Sequence, residues 1–229
     1  MKLLAISPHL DDAAFSAGGL LTARADRGWD VTVATCFTGN VARPAGFALA
    51  CQLDKGLAAG IDYMALRRAE DIAACRELGA RVIHLPFLEA PHRGYDTAAM
   101  LFEPRLEDDH IVDPLTTALG ALMQVERPDL VLGPLCLGDH VDHHAVRDAM
   151  TRACADRDML LWEDWPYADR QTRVAATPAL IQPLTPDLHT RRIAACAAYA
   201  SQLGFQFGGV EAMATRIGAM AEERYYAPN

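Results

Sequence analysis

The sequence has no long apolar run. No stretch reaches the roughly 18 apolar residues from which a membrane-spanning helix is predicted. The apolar segment that begins at Lys2 meets Pro8, His9 and two aspartates too soon to form the apolar region of a signal peptide. We therefore expect no membrane span and a cytoplasmic protein.

Positive charge is also scarce. The chain has 21 lysines and arginines against 30 aspartates and glutamates, which gives a formal net charge of −9. Nucleic-acid backbones and anionic membranes are bound by clustered positive charge, so we expect no nucleic-acid partner. Hydrophobic residues make up 51% and charged residues 22%, as in folded proteins. At 229 residues, the chain is predicted to form a single domain, residues 1–229.

Paired cysteines are missing. The six cysteines lie singly in apolar segments, without a CxxC pair. A chain of this size does not depend on disulfides to build a core. We expect the cysteines to be reduced and to behave as small buried apolar side chains.

The glycine-rich phosphate loop of dinucleotide-binding folds is absent as well. No GxGxxG follows the first predicted strand, and Gly18 and Gly19 come later, inside the next predicted helix. This absence argues against a nucleotide-binding protein.

The chain does contain short apolar runs that alternate with segments of helical composition. The predicted strands are Lys2–Pro8, Val31–Phe37, Arg81–Phe87, Asp129–Pro134 and Met159–Glu163. The predicted helices are Ala13–Arg27, Met64–Leu78, one that Asp113 caps with Pro114 in its first turn, Asp187–Gln202 and Val210–Arg224. Such alternation predicts an α/β fold: a Rossmann-like, mostly parallel sheet with helices on both faces, in three layers, α/β/α.

Two predicted connections are long, Thr38–Tyr63 and Leu88–Val112. Loops of this length in compact domains are commonly functional, and open parallel sheets bind ligands beyond the carboxyl ends of their strands. We expect the site at that edge, with His92, Arg93 and Tyr95 as candidates for a wall of the substrate pocket.

The first polar cluster comes directly after the first strand. His9, Asp11 and Asp12 combine an imidazole with two carboxylates, which are ligands for a divalent ion such as zinc. The structural alternative is that His9 is a buried, hydrogen-bonded histidine and that one aspartate caps the next helix. Capping explains one aspartate, but not two together with a histidine.

The second polar cluster comes after the fourth predicted strand. His140, Asp142 and His143 open the next helix, where the alternative is a solvated helix start whose acidic residue complements the dipole. Both clusters are predicted at one edge of the sheet. Together they can supply the three protein ligands of a catalytic zinc, with a fourth position open for water.

These motifs resemble those of the PIG-L or LmbE-like family of zinc-dependent N-acetylglucosaminyl deacetylases. PHLDD at residues 8–12 is similar to the family's PH-x-DD, and HVDH at residues 140–143 is similar to its H-x-D-H. RRAE at residues 67–70 resembles its R-x-x-E at the start of the second helix. The likeness covers most of the chain and weakens after about residue 170.

The resemblance implies a role for each residue. The implied zinc ligands are His9, Asp12 and His143. Asp11 is implied as the general base, His140 as the charged or proton-donating histidine beside the scissile amide, and Asp142 as the residue that orients His140. Another divalent ion could replace zinc.

The chain departs from the commonest family pattern at four positions. Leu10 and Val141 stand where proline is frequent, Ala13 where glutamate is frequent, and Gly138 where some members carry a tyrosine. No presumed ligand is lost. The missing carboxylate and tyrosine predict altered contacts around the ligands, so that the substrate can differ from that of characterised members.

Two features allow two interpretations each. Arg67 is a candidate substrate-binding residue, but an ion pair with Glu70 at helical i, i+3 spacing is an equally good explanation. The aromatic rings of Trp162–Tyr167 could stack on a sugar or could pack the end of a strand.

The sequence therefore predicts a zinc-dependent hydrolase that removes an N-acyl group, in the first place N-acetyl, from an aminosugar or glycoside-like small molecule. One alternative is the same metal-dependent hydrolysis on a non-sugar N-acylated metabolite. The other is a catalytically idle sugar- or metal-binding module, against which the presence of both Asp11 and His140 argues. The predicted partner is the small-molecule substrate, and a homo-oligomer is compatible with the sequence.

Overall fold

The computed structural model describes residues 1–170 and 174–228, and within them seven strands form one sheet. The strands are β1 (Lys2–Ser7), β2 (Asp30–Thr35), β3 (Arg81–His84), β4 (Leu130–Pro134), β5 (Met159–Trp162), β6 (Leu180–Pro183) and β7 (Glu222–Tyr226). Their order is β3-β2-β1-β4-β5-β7-β6, with β7 antiparallel to both of its neighbours and the other pairs parallel.

Helices connect these strands. The α-helices of the described residues are α1 (Asp12–Asp26), α2 (Gly46–Leu53), α3 (Tyr63–Leu78), α4 (Val112–Glu126), α5 (Val141–Ala153), α6 (Pro186–Ala197), α7 (Ala200–Phe207) and α8 (Val210–Gly218). Short 3₁₀ turns lie at Ala90–His92, Met100–Phe102 and Tyr167–Arg170. Among the described residues, no helix combines the length and the apolar composition that crossing a membrane requires.

The sheet separates two apolar cores, as the alternation of side chains along β1 shows. Leu3 and Ala5 pack into a core with α1, α3, α6, α7 and α8, whereas Leu4 and Ile6 pack into a core with α4 and α5. Successive side chains of a strand point to opposite faces of the sheet. The predicted three-layer α/β architecture is confirmed.

The structure corrects the predicted helix Val210–Arg224. Helix α8 ends at Gly218, and Glu222–Tyr226 forms β7 between β5 and β6. The charged residues of this segment have helical propensity, but pairing with two strands distant in sequence outweighs it.

Three further boundaries differ from the prediction. The segment Asp187–Gln202 contains parts of two helices, α6 and α7. Asp113 does not cap α4, which begins at Val112; the Asp113 carboxylate lies in the first turn and pairs with Arg152 at 3.0 Å. The connection Thr38–Tyr63 contains the short helix α2.

The strand order places a crevice between β1 and β4. From β1 the chain continues to β2 and β3 on one side of the sheet, while β4 and β5 lie on the other side. Crossovers that leave in opposite directions open a gap at the carboxyl ends of the two central strands. Both polar clusters follow these two strand ends.

Candidate active site

The two clusters meet in this crevice. His9 follows β1 and Asp12 begins α1, while His143 lies in the first turn of α5, after β4. One ligand atom from each of these three residues lies within 4.8 Å of the others. Positions far apart in the sequence thus form one group of donors.

The contacts within this group fit a divalent ion. Asp12 Oδ2 lies 3.2 Å from His9 Nδ1 and 3.3 Å from His143 Nε2. His143 Nε2 is buried and has no hydrogen-bond partner. Buried polar atoms are nearly always paired, so an unpaired ring nitrogen beside a carboxylate and a second imidazole is well explained as a metal ligand.

Each of the two histidines is backed by a carboxylate. His9 Nε2 lies 3.0 Å from Asp142 Oδ2, and His143 Nδ1 lies 2.9 Å from Asp164 Oδ1. In each ring, therefore, one nitrogen faces Asp12 and the other nitrogen contacts a second carboxylate. This pairing fixes the tautomer and orientation of metal-binding histidines.

A second group, His9, His140 and Asp142, also has ligand atoms within 4.8 Å of one another. Here His140 caps α5, because its Nδ1 accepts the backbone N–H of Asp142 at 3.2 Å. In a neutral ring, the proton then sits on Nε2, which makes this nitrogen a donor and not a metal ligand. This group is the poorer fit for an ion.

The Asp142 carboxylate makes no hydrogen bond to His140, the ring that the resemblance implied it orients. Besides His9, it accepts hydrogen bonds from Ala90 N at 3.0 Å and from Arg93 at 2.7 Å. Asp142 contacts His140 through its backbone N–H. At the start of a helix, backbone amides are free to be capped, whereas the side chain is turned toward His9.

Sequence reasoning missed Asp164. This buried residue follows β5, and its second oxygen accepts the backbone N–H of Leu137 at 2.8 Å. The available signal was a carboxylate directly after a predicted strand, at the edge where the two clusters lie. In the same aromatic segment, Trp162 packs in the core, whereas Tyr167 lines the cavity, where stacking on a sugar stays a prediction.

Asp11 has no capping role. It precedes α1, but its side chain makes no cap hydrogen bond, and its Oδ2 is buried without a partner. Burial raises the pKa of Asp11 to about 7, although the nearby Arg67 cation opposes the shift. A carboxylate with this environment, facing a cavity, is a candidate proton acceptor.

Arg67 lies beside Asp11 and does not pair with Glu70. Its guanidinium donates to Glu89 and to the carbonyl of Leu10, and lies 3.5 Å from Asp11 Oδ2. Glu70 instead accepts from Ser201. Arg67 thus forms a buried cationic wall of the cavity.

The pKa values of the three histidines are shifted in different directions. Burial favours the neutral ring, but the pKa of His143 rises to about 9 because Asp12 and Asp164 outweigh burial. His9 likewise has a raised pKa, from its hydrogen bonds to Asp12 and Asp142. Burial together with the positive charge of His9 lowers the pKa of His140 to about 3. His140 is therefore a neutral donor in this arrangement.

Gly138 makes room for Tyr167. Gly138 has φ +88°, and a Cβ atom there would lie 2.7 Å from Tyr167 Cβ. The Tyr167 ring lies 5.5 Å from the His143 ring. Some family members carry a tyrosine at position 138. In this chain, the aromatic ring beside that position is Tyr167, from the turn after β5.

The long connection Leu88–Val112 supports the site from behind. Arg93 bridges Asp142 and Asp109 at 2.7 and 3.0 Å, and the buried Tyr95 donates to Asp109 at 2.8 Å. His92, Arg93 and Tyr95, the candidates for a substrate wall, are not among the residues that line the cavity described below. Arg93 holds Asp142 directly, whereas Tyr95 contacts Asp109, the second partner of Arg93.

A cavity of about 190 Å³ opens above these residues. Five residues of the two clusters line it: His9, Asp11, Asp12, His140 and Asp142. Residues of α2, of the connection after β3 and of α7 also line it. The periodicity of the strands does not predict the contribution of these three segments.

The fold is an open α/β sheet with a cavity between its two central strands. The site combines two aspartates with histidines that are hydrogen-bonded to carboxylates. These features are typical of α/β proteins whose hydrolytic site uses a metal ion. The family model described as GlcNAc-PI de-N-acetylase (PIG-L) matches residues 4–154. The chain belongs to the PIG-L family, and the resemblance stated from its motifs is confirmed.

Two curated relatives of similar sequence are deacetylases. The 2'-N-acetylparomamine deacetylase of Streptomyces fradiae is 34% identical over 176 residues, which cover 76% of this chain and 60% of that protein. The 1D-myo-inositol 2-acetamido-2-deoxy-alpha-D-glucopyranoside deacetylase of Corynebacterium glutamicum is 32% identical over 168 residues, 70% of this chain and 55% of that protein. The chain thus spans little more than half the length of these relatives.

Solved structures match over almost the whole chain. The zinc inhibited form of teicoplanin deacetylase Orf2 has a TM-score of 0.84 at 28% identity, covering 99% of this chain and 97% of that one. The A40926 pseudoaglycone deacetylase Dbv21 has a TM-score of 0.82 at 30% identity, covering 98% and 96%.

Proposed function

We propose that this chain is a zinc-dependent hydrolase that removes an N-acetyl group from an aminosugar or from a glycoside that carries one. The observation that carries the proposal is the group His9, Asp12 and His143, in which a buried ring nitrogen has no hydrogen-bond partner. The neighbouring Asp11 Oδ2 also has no hydrogen-bond partner. Relatives named as deacetylases of N-acetylated aminosugar compounds support it.

The ligands in this proposal are His9 Nδ1, Asp12 and His143 Nε2, oriented by Asp142 and Asp164. When bound, the ion would polarise the acetamide carbonyl and acidify the attacking water. Two nitrogens and one oxygen suit zinc, although another divalent ion is the alternative. One similar structure is the zinc inhibited form of teicoplanin deacetylase Orf2. Which ion supports the reaction is therefore a question for experiment.

Asp11 acts as the general base. Asp11 lines the cavity and its Oδ2 has no hydrogen-bond partner, so this carboxylate is available to accept a proton from the water that attacks the acetamide carbonyl. The same proton can then pass to the amine nitrogen as the C–N bond breaks, which gives acetate and a free amine. Arg67, 3.5 Å from Asp11, keeps this carboxylate in place and offers a cationic contact to a polar group of the substrate.

His140 stabilises the oxygen on which negative charge develops. Because its Nδ1 accepts the amide N–H of Asp142, its Nε2 carries the proton and can donate it in a hydrogen bond. Such a donor, fixed before the reaction, stabilises the transition state without reorganisation.

The test compares the parent with Asp11→Asn for bound zinc and for acetate release from N-acetylglucosamine and a panel of its glycosides. We expect equal zinc content and a loss of release of roughly 10²- to 10⁴-fold, because only the proton acceptor is removed. Asp26→Asn is the matched control, since Asp26 lies at the far end of α1 and pairs with Arg191 on the surface.

Three results would contradict parts of the proposal. Undiminished release by Asp11→Asn would rule out Asp11 as the base. Bound metal without release from any N-acetylated aminosugar would point to another amide. Absence of metal after reconstitution with zinc, iron, cobalt and manganese would favour a binding module.

A further inference from the structure

Three phenylalanines line the outer part of the cavity, each from a different segment. Phe47 comes from α2, Phe102 from the 3₁₀ turn Met100–Phe102, and Phe205 from α7. Two of them are strongly exposed for apolar side chains, Phe102 at 42% and Phe205 at 63%. Apolar surface that gathers at the mouth of a polar site marks a place where ligand is bound.

The two exposed rings are held in place by charged and aromatic neighbours. Lys55 Nζ lies 4.8 Å from the centre of the Phe205 ring and donates to the carbonyl of Cys51 at 2.9 Å. The Phe102 ring meets the His140 ring edge to face, with centres 5.4 Å apart. A fixed apolar surface loses little entropy when a ligand covers it.

The apolar surface formed by Phe47, Phe102 and Phe205 adjoins the proposed reacting groups. Phe102 touches His140, which we place beside the scissile acetamide, and the Tyr167 ring lies 6.1 Å from Phe102. Polar side chains line the same cavity, among them Arg67, Glu89 and Gln202. The cavity therefore offers polar partners for a sugar and an apolar area for whatever is attached to it.

We propose that the substrate is a glycoside of an N-acetylated aminosugar whose aglycone is apolar or aromatic, and that Phe47, Phe102 and Phe205 bind this aglycone. The inference rests on the proposed deacetylase function. A polar aglycone would leave the phenylalanine rings in water, whereas an apolar one would remove their surface and its own from water.

The experiment measures kcat/KM for amine release from three substrates: N-acetylglucosamine, its octyl β-glycoside and its glycoside with inositol. We expect the octyl glycoside to exceed the free sugar by roughly tenfold or more, and the inositol glycoside to stay close to the free sugar. In Phe205→Ala, we expect the ratio of octyl glycoside to free sugar to fall several-fold. Because the ratio compares two substrates of the same variant, a general loss of activity cancels out.

The control variant is Val125→Ala, which removes an exposed apolar side chain on α4, outside the cavity. Its substrate ratio should match that of the parent. Equal kcat/KM for all three substrates would overturn the aglycone proposal but not the proposed deacetylase function. A substrate ratio that Phe205→Ala leaves unchanged would have the same consequence. Release from none of the three would overturn the proposed function, and this inference with it.

Discussion

The candidate active site and the cluster around Arg192 and Glu223 are both buried groups of charged side chains, but their polar atoms are used differently. Glu223 accepts the backbone N–H groups of Gly19 and Leu20 at 2.7 and 2.8 Å, and Arg192 Nε lies 3.2 Å from it. In the candidate active site, His143 Nε2 and Asp11 Oδ2 have no hydrogen-bond partner.

This difference separates a structural cluster from a functional one. The Arg192–Glu223 cluster joins α6 and β7 to the middle of α1, and Arg192 also donates to the carbonyl of Phe15. Both carboxylate oxygens of Glu223 are used within the protein. Arg192 Nε also lacks a hydrogen-bond partner, so the two clusters differ in their carboxylates and in their access to the cavity. Asp11 Oδ2 has no hydrogen-bond partner and Asp11 lines the cavity, whereas Arg192 and Glu223 are not among the residues that line it.

The largest expected effect is that of His143→Ala. It removes a proposed ligand whose other ring nitrogen is held by Asp164, so zinc should be lost along with acetate release. Zinc content measured on the purified variant, together with circular dichroism to verify folding, checks this. Full zinc occupancy in the variant would show that the ion lies elsewhere.

A smaller effect, on stability, is expected for Glu223→Gln. Breaking a buried pair leaves the Arg192 charge uncompensated, which typically costs about 3–5 kcal/mol. At about 2–4 °C per kcal/mol for a chain of this size, Tm should fall by roughly 10 °C. Differential scanning calorimetry of the metal-free protein provides the measurement.

The neighbouring Glu222→Gln is the matched control for that variant. Glu222 pairs with Arg224, and both side chains are partly exposed; such pairs contribute about 1 kcal/mol or less. If both variants lowered Tm equally, the Arg192–Glu223 cluster would have no special structural weight.

The smallest effect is expected for Asp164→Asn, which keeps the ligands but weakens the support of His143. Loss of such a carboxylate typically lowers metal affinity about 10- to 100-fold. Competition with a chelator measures the affinity directly. Asp148→Asn, on the exposed side of α5 where Asp148 pairs with Arg105, should leave it unchanged; an unchanged affinity in Asp164→Asn as well would remove Asp164 from the site.

Much of the fold follows from local pattern, and the errors have a common cause. The alternation of strands and helices predicts the sheet, and Gly79, with φ 72°, ends α3 where its sequence position indicates. The predicted helix Val210–Arg224 includes the first three residues of β7, because the local composition does not show that β5 and β6 pair with this segment. Likewise, α2 packs over the cavity although its sequence lies in a predicted loop.

The sequence by itself determined which residues gather at the candidate site. His9, Asp12 and His143 follow strands of one parallel sheet, and parallel strands bring their carboxyl ends to one edge. Only the tertiary structure decided which atoms face each other. That Asp142 supports His9, and Asp164 supports His143, depends on contacts across 133 and 21 residues of chain, and hydrogen-bond geometry at such separations is set by packing and not by local propensity.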